Sequence, residues 1–552
     1  MLGRCAILAL VPGWPHAVCG AKLGMNRTGE VMIDARRANN LGYFSHEPAL
    51  AHPDRIAMID LTGDAPREVR YGELEERLNR VANLMGAMGL KPGDRLAMCI
   101  ANRFEFIEIM YGAMRAGVVP VTLSTKLGAD VLEFTVRDSE SVAAIVEPTS
   151  NRFIVEVCEA AGLDPLVAFD PAPSGWQDYE GLLMQQVVVF EPPTLAPDHP
   201  SFQPYTSGST GRPKGVVLTH AGQLWGIRVF QKHWPDKSGN LSLVAVPMYH
   251  KNAMAGTFKP LLHAGGSVVI LPDFKPEPFL RALSEYRCTN TGGVPAVYTA
   301  LLQHRDLIAE LDLSHLKSLS VGSAPVQPEL LSDIEETFRV PCVESYGLTE
   351  GGPVPIAVPP GVTRVPPGSC GKILPEGELK LVGADGLEHP SEGEIWVRNP
   401  GVTPGYWNRP DVNAEKIVDG WLKTGDLFRR DDDGWFYFMG RTDDMFNCGG
   451  ENIYPKEVEN LLLCHPDITD ASVVPLPHAI KGEAPVALIT VTKGSTLDEA
   501  AAKAWCLENG PAYAHPRRVA VLDTLPLNGA AKIDRLLVQK QAREMFGEEI
   551  GR

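Results

Sequence analysis

Between Tyr205 and Gly215 the chain reads Tyr-Thr-Ser-Gly-Ser-Thr-Gly-Arg-Pro-Lys-Gly, crowding hydroxyls, glycines and one lysine into a short stretch. Phosphate binding explains that mixture. Glycines let successive backbone N–H groups turn toward an anion, hydroxyls add hydrogen bonds or ligate Mg2+, and the lysine supplies charge. The spacing is not Gly-x-x-x-x-Gly-Lys-Ser/Thr, which argues against a P-loop ATPase or kinase. Four more segments carry polar chemistry farther along: Glu344-Ser345-Tyr346-Gly347-Leu348-Thr349-Glu350, Lys423-Thr424-Gly425-Asp426, Gly440-Arg441-Thr442-Asp443-Asp444, and Leu525 to Arg535 with Lys532 inside it.

These segments need a scaffold, and the apolar pattern supplies an alternating one. Leu74, Leu78, Val81, Leu84, Met85 and Met88 recur at helical spacing from Tyr71, and Gly89 stands where a C-terminal cap belongs. The spacing predicts a strand at Leu96–Ile100, a helix at Glu105–Ala116 and a strand at Val118–Leu123, the rhythm of a layered α/β domain. Strands at Leu243–Val246, Ser267–Leu271 and Leu319–Val321, with a helix at Pro276–Tyr286, continue it. After about residue 370 short runs such as Glu378–Val382 and Glu394–Arg398 read as antiparallel hairpins, a β-rich subdomain. A helix at Pro455–Leu463 opens a last α+β stretch. The expected organisation is a leader at 1–30, a large N-terminal domain at 31–440, a hinge at 441–447 and a small mobile C-terminal domain at 448–552.

At 552 residues the chain exceeds one hydrophobic core, and 44% apolar with 22% charged residues is ordinary for a globular protein. The net charge of −17 argues against general affinity for nucleic acid or anionic membrane, so anionic ligands must meet local cations. Ten scattered cysteines without a Cys-x-x-Cys pair suggest free thiols in a reducing, cytoplasmic setting. No run is long enough to cross a bilayer, so no stable membrane insertion is expected. Arg4 and the apolar run Cys5–Pro12 resemble a signal peptide, but the run is brief and ends in Gly13-Trp14-Pro15-His16. The leader therefore reads as disordered or as an over-called start, with Met25 or Met32 as alternative first residues.

Taken in order, the motifs resemble the adenylate-forming superfamily of acyl-CoA synthetases, luciferases and peptide-synthetase adenylation domains, over nearly the whole chain from about residue 45. That resemblance implies an ATP site made of Thr206, Ser207, Gly208, Ser209, Thr210, Gly211 and Lys214 around the phosphates. Gly322, Ser323, Ala324 and Pro325 would line adenine with Glu344, Ser345, Tyr346 and Gly347, and Tyr346 would stack on the base. Thr349 would lie near phosphate, and Glu350 and Thr206 would hold Mg2+. Asp426 would accept both ribose hydroxyls, a bidentate role that suits a carboxylate. Arg441 would contact nucleotide, Asp443 would be the hinge pivot and Lys532 the catalytic lysine, although Ala531 stands where the family usually has glycine.

The implied reaction is attack of a carboxylate on the α-phosphorus of ATP, then transfer of the acyl group from AMP to the thiol of coenzyme A. Gly449 and Gly450, with Arg517, would serve coenzyme A. Tyr249, His250, Met254, Gly293, Val294, Gly347 and Gly351 would form the acyl pocket, with His250 at its mouth. Their small or apolar character fits a medium- or long-chain fatty acid or an aromatic acid. Cys448 invites a nucleophile reading, but no base is assignable nearby. Tyr249–Phe258 lacks the aspartate that a free amino acid would require. An acyl-AMP ligase using another acceptor and a luciferase-like oxygenase are the alternatives. A homodimer and regulatory acylation of Lys532 complete the expectations.

Overall fold

An unbroken apolar run is needed only where a strand is buried on both faces, and such runs become parallel strands here. The computed structural model describes residues 34–206, 212–234, 239–250, 253–322, 326, 328–352, 355–362, 365–448, 451–512, 514–527, 533–548 and 550. A first sheet sets five parallel strands in the order Val119–Thr122, Arg95–Cys99, Ser141–Val146, Leu166–Ala168 and Gln177–Asp178. The helix Tyr71–Ala87 packs on the helix Phe104–Arg115, and Gly89 beyond its end adopts φ +79°. The helix Phe104–Arg115 is buried along its whole length. Its charges survive burial because each has a partner: Arg115 meets Glu75 at 2.6 Å, and Glu108 meets Arg77.

A second, larger sheet has Arg67–Arg70 antiparallel at its edge and then six parallel strands in the order Ile56–Asp60, Ser267–Ile270, Leu241–Val244, Asn290–Gly293, Ser318–Gly322 and Cys342–Tyr346. Through Ile356–Ala357 and Ser369–Ile373 it turns antiparallel and runs on into Phe436–Arg441, Trp421–Arg430, Glu392–Arg398 and Glu378–Val382. The expected β-rich subdomain is therefore the antiparallel continuation of the parallel sheet. The expected strands and helices occur with ends displaced by a residue or two, as fraying ends do. The helix Pro455–Leu463 matches its expected bounds.

Around it, Phe446–Cys448, Glu451–Ile453, Ile468–His478, Gly482–Val491 and Arg518–Val521 form a five-stranded sheet over a core of its own, including Leu462, Val474, Leu488 and Val538. The expected leader and the segment after residue 550 lie outside the described residues. Among the described residues no helix is long and apolar enough to cross a membrane.

Gly371 sits where the parallel and antiparallel parts of the large sheet join. It adopts φ +116°, and a Cβ there would fall 2.2 Å from the Ala357 carbonyl carbon. Both the strained dihedral and the backbone clash oppose a side chain. Gly371→Ala is expected to cost about 2–5 kcal/mol, read from the first transition of a urea melt; an unchanged midpoint would rule out this close approach.

Candidate active site

Three neighbouring strands of the large sheet end side by side, with Gly293 beside Val321 and Gly322 beside Ser345 across the ladder. Ligands of open parallel sheets gather beyond such carboxyl ends. Gly293, Gly322, Ser345 and Tyr346 all stand there, followed by Val294 and by the exposed Gly347. At Gly322 a Cβ would lie 3.3 Å from the Ser345 carbonyl oxygen, so the bare glycine keeps the strand end open. Glu344 is buried in the same strand. Its Oε1 accepts from Cys370 Sγ at 3.5 Å, while Oε2 has no hydrogen-bond partner among the described residues. Burial pushes its carboxyl up to about 7.

Asp426 is the meeting point of the site. It lies in Trp421–Arg430, 7% exposed, with Gly425 before it at φ +77°. Tyr346 donates its hydroxyl to Asp426 Oδ2 at 2.5 Å, and Arg441 donates Nη1 to Oδ1 at 2.7 Å. Thr424 Oγ1 accepts the Asp426 N–H at 3.0 Å, and Glu394 accepts that of Gly425 at 2.8 Å, holding the turn. Burial raises Asp426 to about 6 against the pull of Arg441. Arg441 also reaches Asp443, with Nε to Oδ1 at 2.8 Å and Nη2 to Oδ2 at 3.1 Å. One guanidinium thus joins the expected ribose carboxylate to the expected pivot. The Tyr346 ring meets Phe428 edge-on at 4.7 Å, which fixes its plane.

A second cluster gathers the expected metal and phosphate residues. Thr206 and Lys214 pair across a two-residue ladder that brackets the phosphate loop. Thr206 Oγ1 donates to Glu350 Oε1 at 3.2 Å, and the Tyr406 hydroxyl donates to the same oxygen at 3.2 Å. Lys214 Nζ lies 5.6 Å from the centre of the Tyr406 ring. Tyr406 escaped the sequence reading; its only signal was the Pro404-Gly405-Tyr406-Trp407 turn. Thr349 immediately precedes Glu350 in the turn after the strand.

On the acyl side, Tyr249 and His250 place their ring centres 4.7 Å apart, and Thr122 donates to the Tyr249 carbonyl at 3.1 Å. Asn102, also missed, clamps the preceding turn by accepting from Met248 N at 2.8 Å and donating to the Val246 carbonyl at 3.0 Å. Met254 is 1% exposed and takes the Tyr111 hydroxyl on its sulfur at 3.4 Å. Two of the glycines add less room than their composition suggests. A Cβ on Gly293 would meet Val297 at 3.0 Å, and one on Gly351 would meet Leu348 at 2.2 Å. Arg517, expected at coenzyme A, donates Nη1 to the His515 carbonyl at 2.6 Å. Cys448 is buried in the C-terminal sheet. Ser207, Gly208, Ser209, Thr210, Gly211, Ser323, Ala324, Pro325, Gly449, Gly450 and Lys532 lie outside the described residues.

Comparison with known proteins gives the family of the chain. The family described as AMP-binding enzyme matches residues 46–407, and the AMP-binding enzyme C-terminal domain matches 457–532. The chain is 34% identical over 481 residues to a feruloyl-CoA synthase of an Amycolatopsis species, covering 86% of this chain and 94% of that protein. It is 32% identical over 492 residues to an indoleacetate–CoA ligase of Aromatoleum aromaticum, covering 88% and 95%. Among solved structures, ATP-bound MatB from Rhodopseudomonas palustris superposes with a TM-score of 0.84 at 27% identity, covering 92% of this chain and 99% of that one.

Removing the Tyr346 hydroxyl leaves Asp426 Oδ2 buried without its donor. Tyr346→Phe is expected to destabilise the protein by about 1–3 kcal/mol, the usual cost of an orphaned buried acceptor; a chemical melt that overlays the parent would show that Oδ2 does not depend on it.

Proposed function

The chain belongs to the AMP-binding enzyme family and is an AMP-forming acid:CoA ligase; from that premise we propose that its acid is aromatic, bound beside Tyr249 and His250, and that Lys532 serves adenylation. The observation that carries the reading of the site is the triad Tyr346–Asp426–Arg441 at the end of the parallel sheet. Asp426 presents two oxygens to a ribose, and Tyr346 offers a fixed ring plane. The oxygens of Glu350 and Thr206, 3.2 Å apart, are hard donors of the kind Mg2+ takes together with phosphate oxygens. Mg2+ there would supply charge to the phosphates.

A carboxylate is a poor acyl donor because its leaving group would be an oxide. In the proposed sequence the acid oxygen forms a bond to the α-phosphorus and the bond to pyrophosphate breaks. Lys532 and Lys214 would meet the charge that develops. The thiol sulfur of coenzyme A then attacks the acyl carbon, AMP leaves and the thiol proton is lost to solvent. Similarity to feruloyl- and indoleacetate-activating proteins favours an aromatic acid, as does the ring pair at the pocket. A fatty acid is the second reading, supported by 28% identity over 514 residues to long-chain-fatty-acid–CoA ligase FadD13 of Mycobacterium tuberculosis. The division into a large domain, a pivot at Asp443 and a mobile C-terminal domain beyond about residue 448 belongs to the same proposal, as does a cytoplasmic location.

Incubation with ATP, Mg2+, coenzyme A and a panel of aromatic, aliphatic and dicarboxylic acids tests the reading by mass spectrometry. Aryl-CoA with matching AMP is the expected outcome. Preference for aliphatic acids would move the assignment to the second reading, and adenylate without thioester would point to another acceptor. Lys532→Ala should slow pyrophosphate release at least about 10²-fold, the scale of one preorganised charge donor; near-normal release removes that lysine from the mechanism.

Asp426 gives a pH signature. Its folded pKa is raised to about 6, so the carboxylate that ribose needs is present above that pH and is lost as pH falls through 6. ATP affinity, measured by calorimetry, should weaken roughly tenfold between pH 7.5 and 5 beyond the change seen in Asp426→Asn. Parallel profiles for the two proteins would exclude Asp426 as the titrating group.

A further inference from the structure

The stretch that carries Lys532 is closed off on both sides by described residues. Leu527 bridges Ile533 in antiparallel fashion, and Asp534 N–H donates to the Pro526 carbonyl at 2.9 Å. Asp534 then caps the helix Arg535–Phe546 by accepting from Leu537 N–H at 3.1 Å. Arg535 is the first residue of that helix and stands three positions past Lys532 in the sequence. Its guanidinium serves three acceptors on three other elements. Nη2 donates to Glu459 Oε1 at 2.7 Å, Nη1 donates to the Val473 carbonyl at 2.9 Å, and Nε lies 3.4 Å from Asp444 Oδ2. Glu459 comes from Pro455–Leu463, Val473 from Ile468–His478, and Asp444 directly follows Asp443.

We propose that Arg535 is a positioning residue for the adenylation half-reaction, holding the Lys532 stretch at a set distance and bearing from the Asp443–Asp444 turn. This rests on the roles given above to Lys532 and Asp443. Glu459 has a side chain only 4% exposed and draws two cations, Arg535 at 2.7 Å on Oε1 and Lys456 at 3.7 Å on Oε2. The planar fork of arginine satisfies it while directing its remaining donors elsewhere, which a lysine ammonium does with less directional control. Arg535 touches no substrate. It acts at the start of the helix Arg535–Phe546, where a tilt relative to the Asp443–Asp444 turn changes the direction from which the chain reaches Lys532.

The test uses the full-length protein as wild type, Arg535→Met, Arg535→Lys and Asp444→Asn. Pyrophosphate release from acid and ATP reports the first half-reaction, thioester formation from synthetic acyl-adenylate and coenzyme A reports the second, and a thermal melt reports the folded fraction. Arg535→Met should lose about 10- to 100-fold in pyrophosphate release while thioester formation stays within about twofold, because misplacement by about 1 Å has that scale of cost. Arg535→Lys should recover part of the loss, and Asp444→Asn, which keeps the shape and the Glu459 pair, should show the same one-sided loss. If Arg535→Met does not fold, Asp444→Asn carries the test. Equal losses in both half-reactions, or unchanged pyrophosphate release in Asp444→Asn, overturn the proposal. Wild-type protein that releases no pyrophosphate with any acid overturns the ligase reading itself and this inference with it.

Discussion

Burying the carboxylate of Asp426 is the constraint around which the site is organised. A charge taken out of water must be met by partners or give up its ionisation. Tyr346 and Arg441 meet it from two other strands of the same sheet, so the demand of one side chain ties the last parallel strand to the antiparallel extension. Arg441 passes the connection on to Asp443, and Arg535 approaches Asp444 from the C-terminal side. The proposed nucleotide site, the proposed pivot and the root of the proposed catalytic stretch are thus joined by ion pairs at neighbouring positions. Any ligand that donates hydrogen bonds to Asp426 competes with Tyr346 and Arg441 for its oxygens.

The sheet contributes in a second way. Its parallel half ends in a row of strand termini that carries Gly293, Gly322 and Tyr346, and its antiparallel half supplies Asp426 and Arg441. Glu350 and Thr206 then approach across the opening with Tyr406 holding the glutamate. Tyr406 is placed by its own ladder contact with Val216, on the stretch that also carries Lys214. The phosphate cluster is consequently a product of three separated chain segments, none of which forms it alone.

Much of this was legible beforehand. The stretch Tyr205–Gly215 carries the proposed phosphate loop on composition alone, because few folds need hydroxyls, glycines and a lysine in that density. The helix Pro455–Leu463 was readable to its ends, since a proline start and an apolar period are local signals. Asp426 was identified from its Thr-Gly-Asp context, yet its grip by Tyr346 was not, because eighty positions separate them along the chain. Tyr406 and Asn102 were missed for the same reason: a tyrosine or asparagine in a turn has no distinguishing local pattern until its hydrogen-bond partners are known. The roominess inferred from glycine content was altered by packing, since Val297 and Leu348 occupy the space beside Gly293 and Gly351.

The sequence by itself determined the chemistry and the order of elements: which residue types sit together, which runs are apolar enough to be strands, and which family the motifs resemble. These are properties of neighbours along the chain, where spacing and side-chain type carry the information. Tertiary structure alone decided which carboxylates are buried, what holds them and how far their ionisation is displaced, because desolvation and charge pairing depend on groups distant in sequence. It also decided that parallel and antiparallel halves form one continuous sheet, since strand pairing is chosen by the burial of whole faces and not by any single strand.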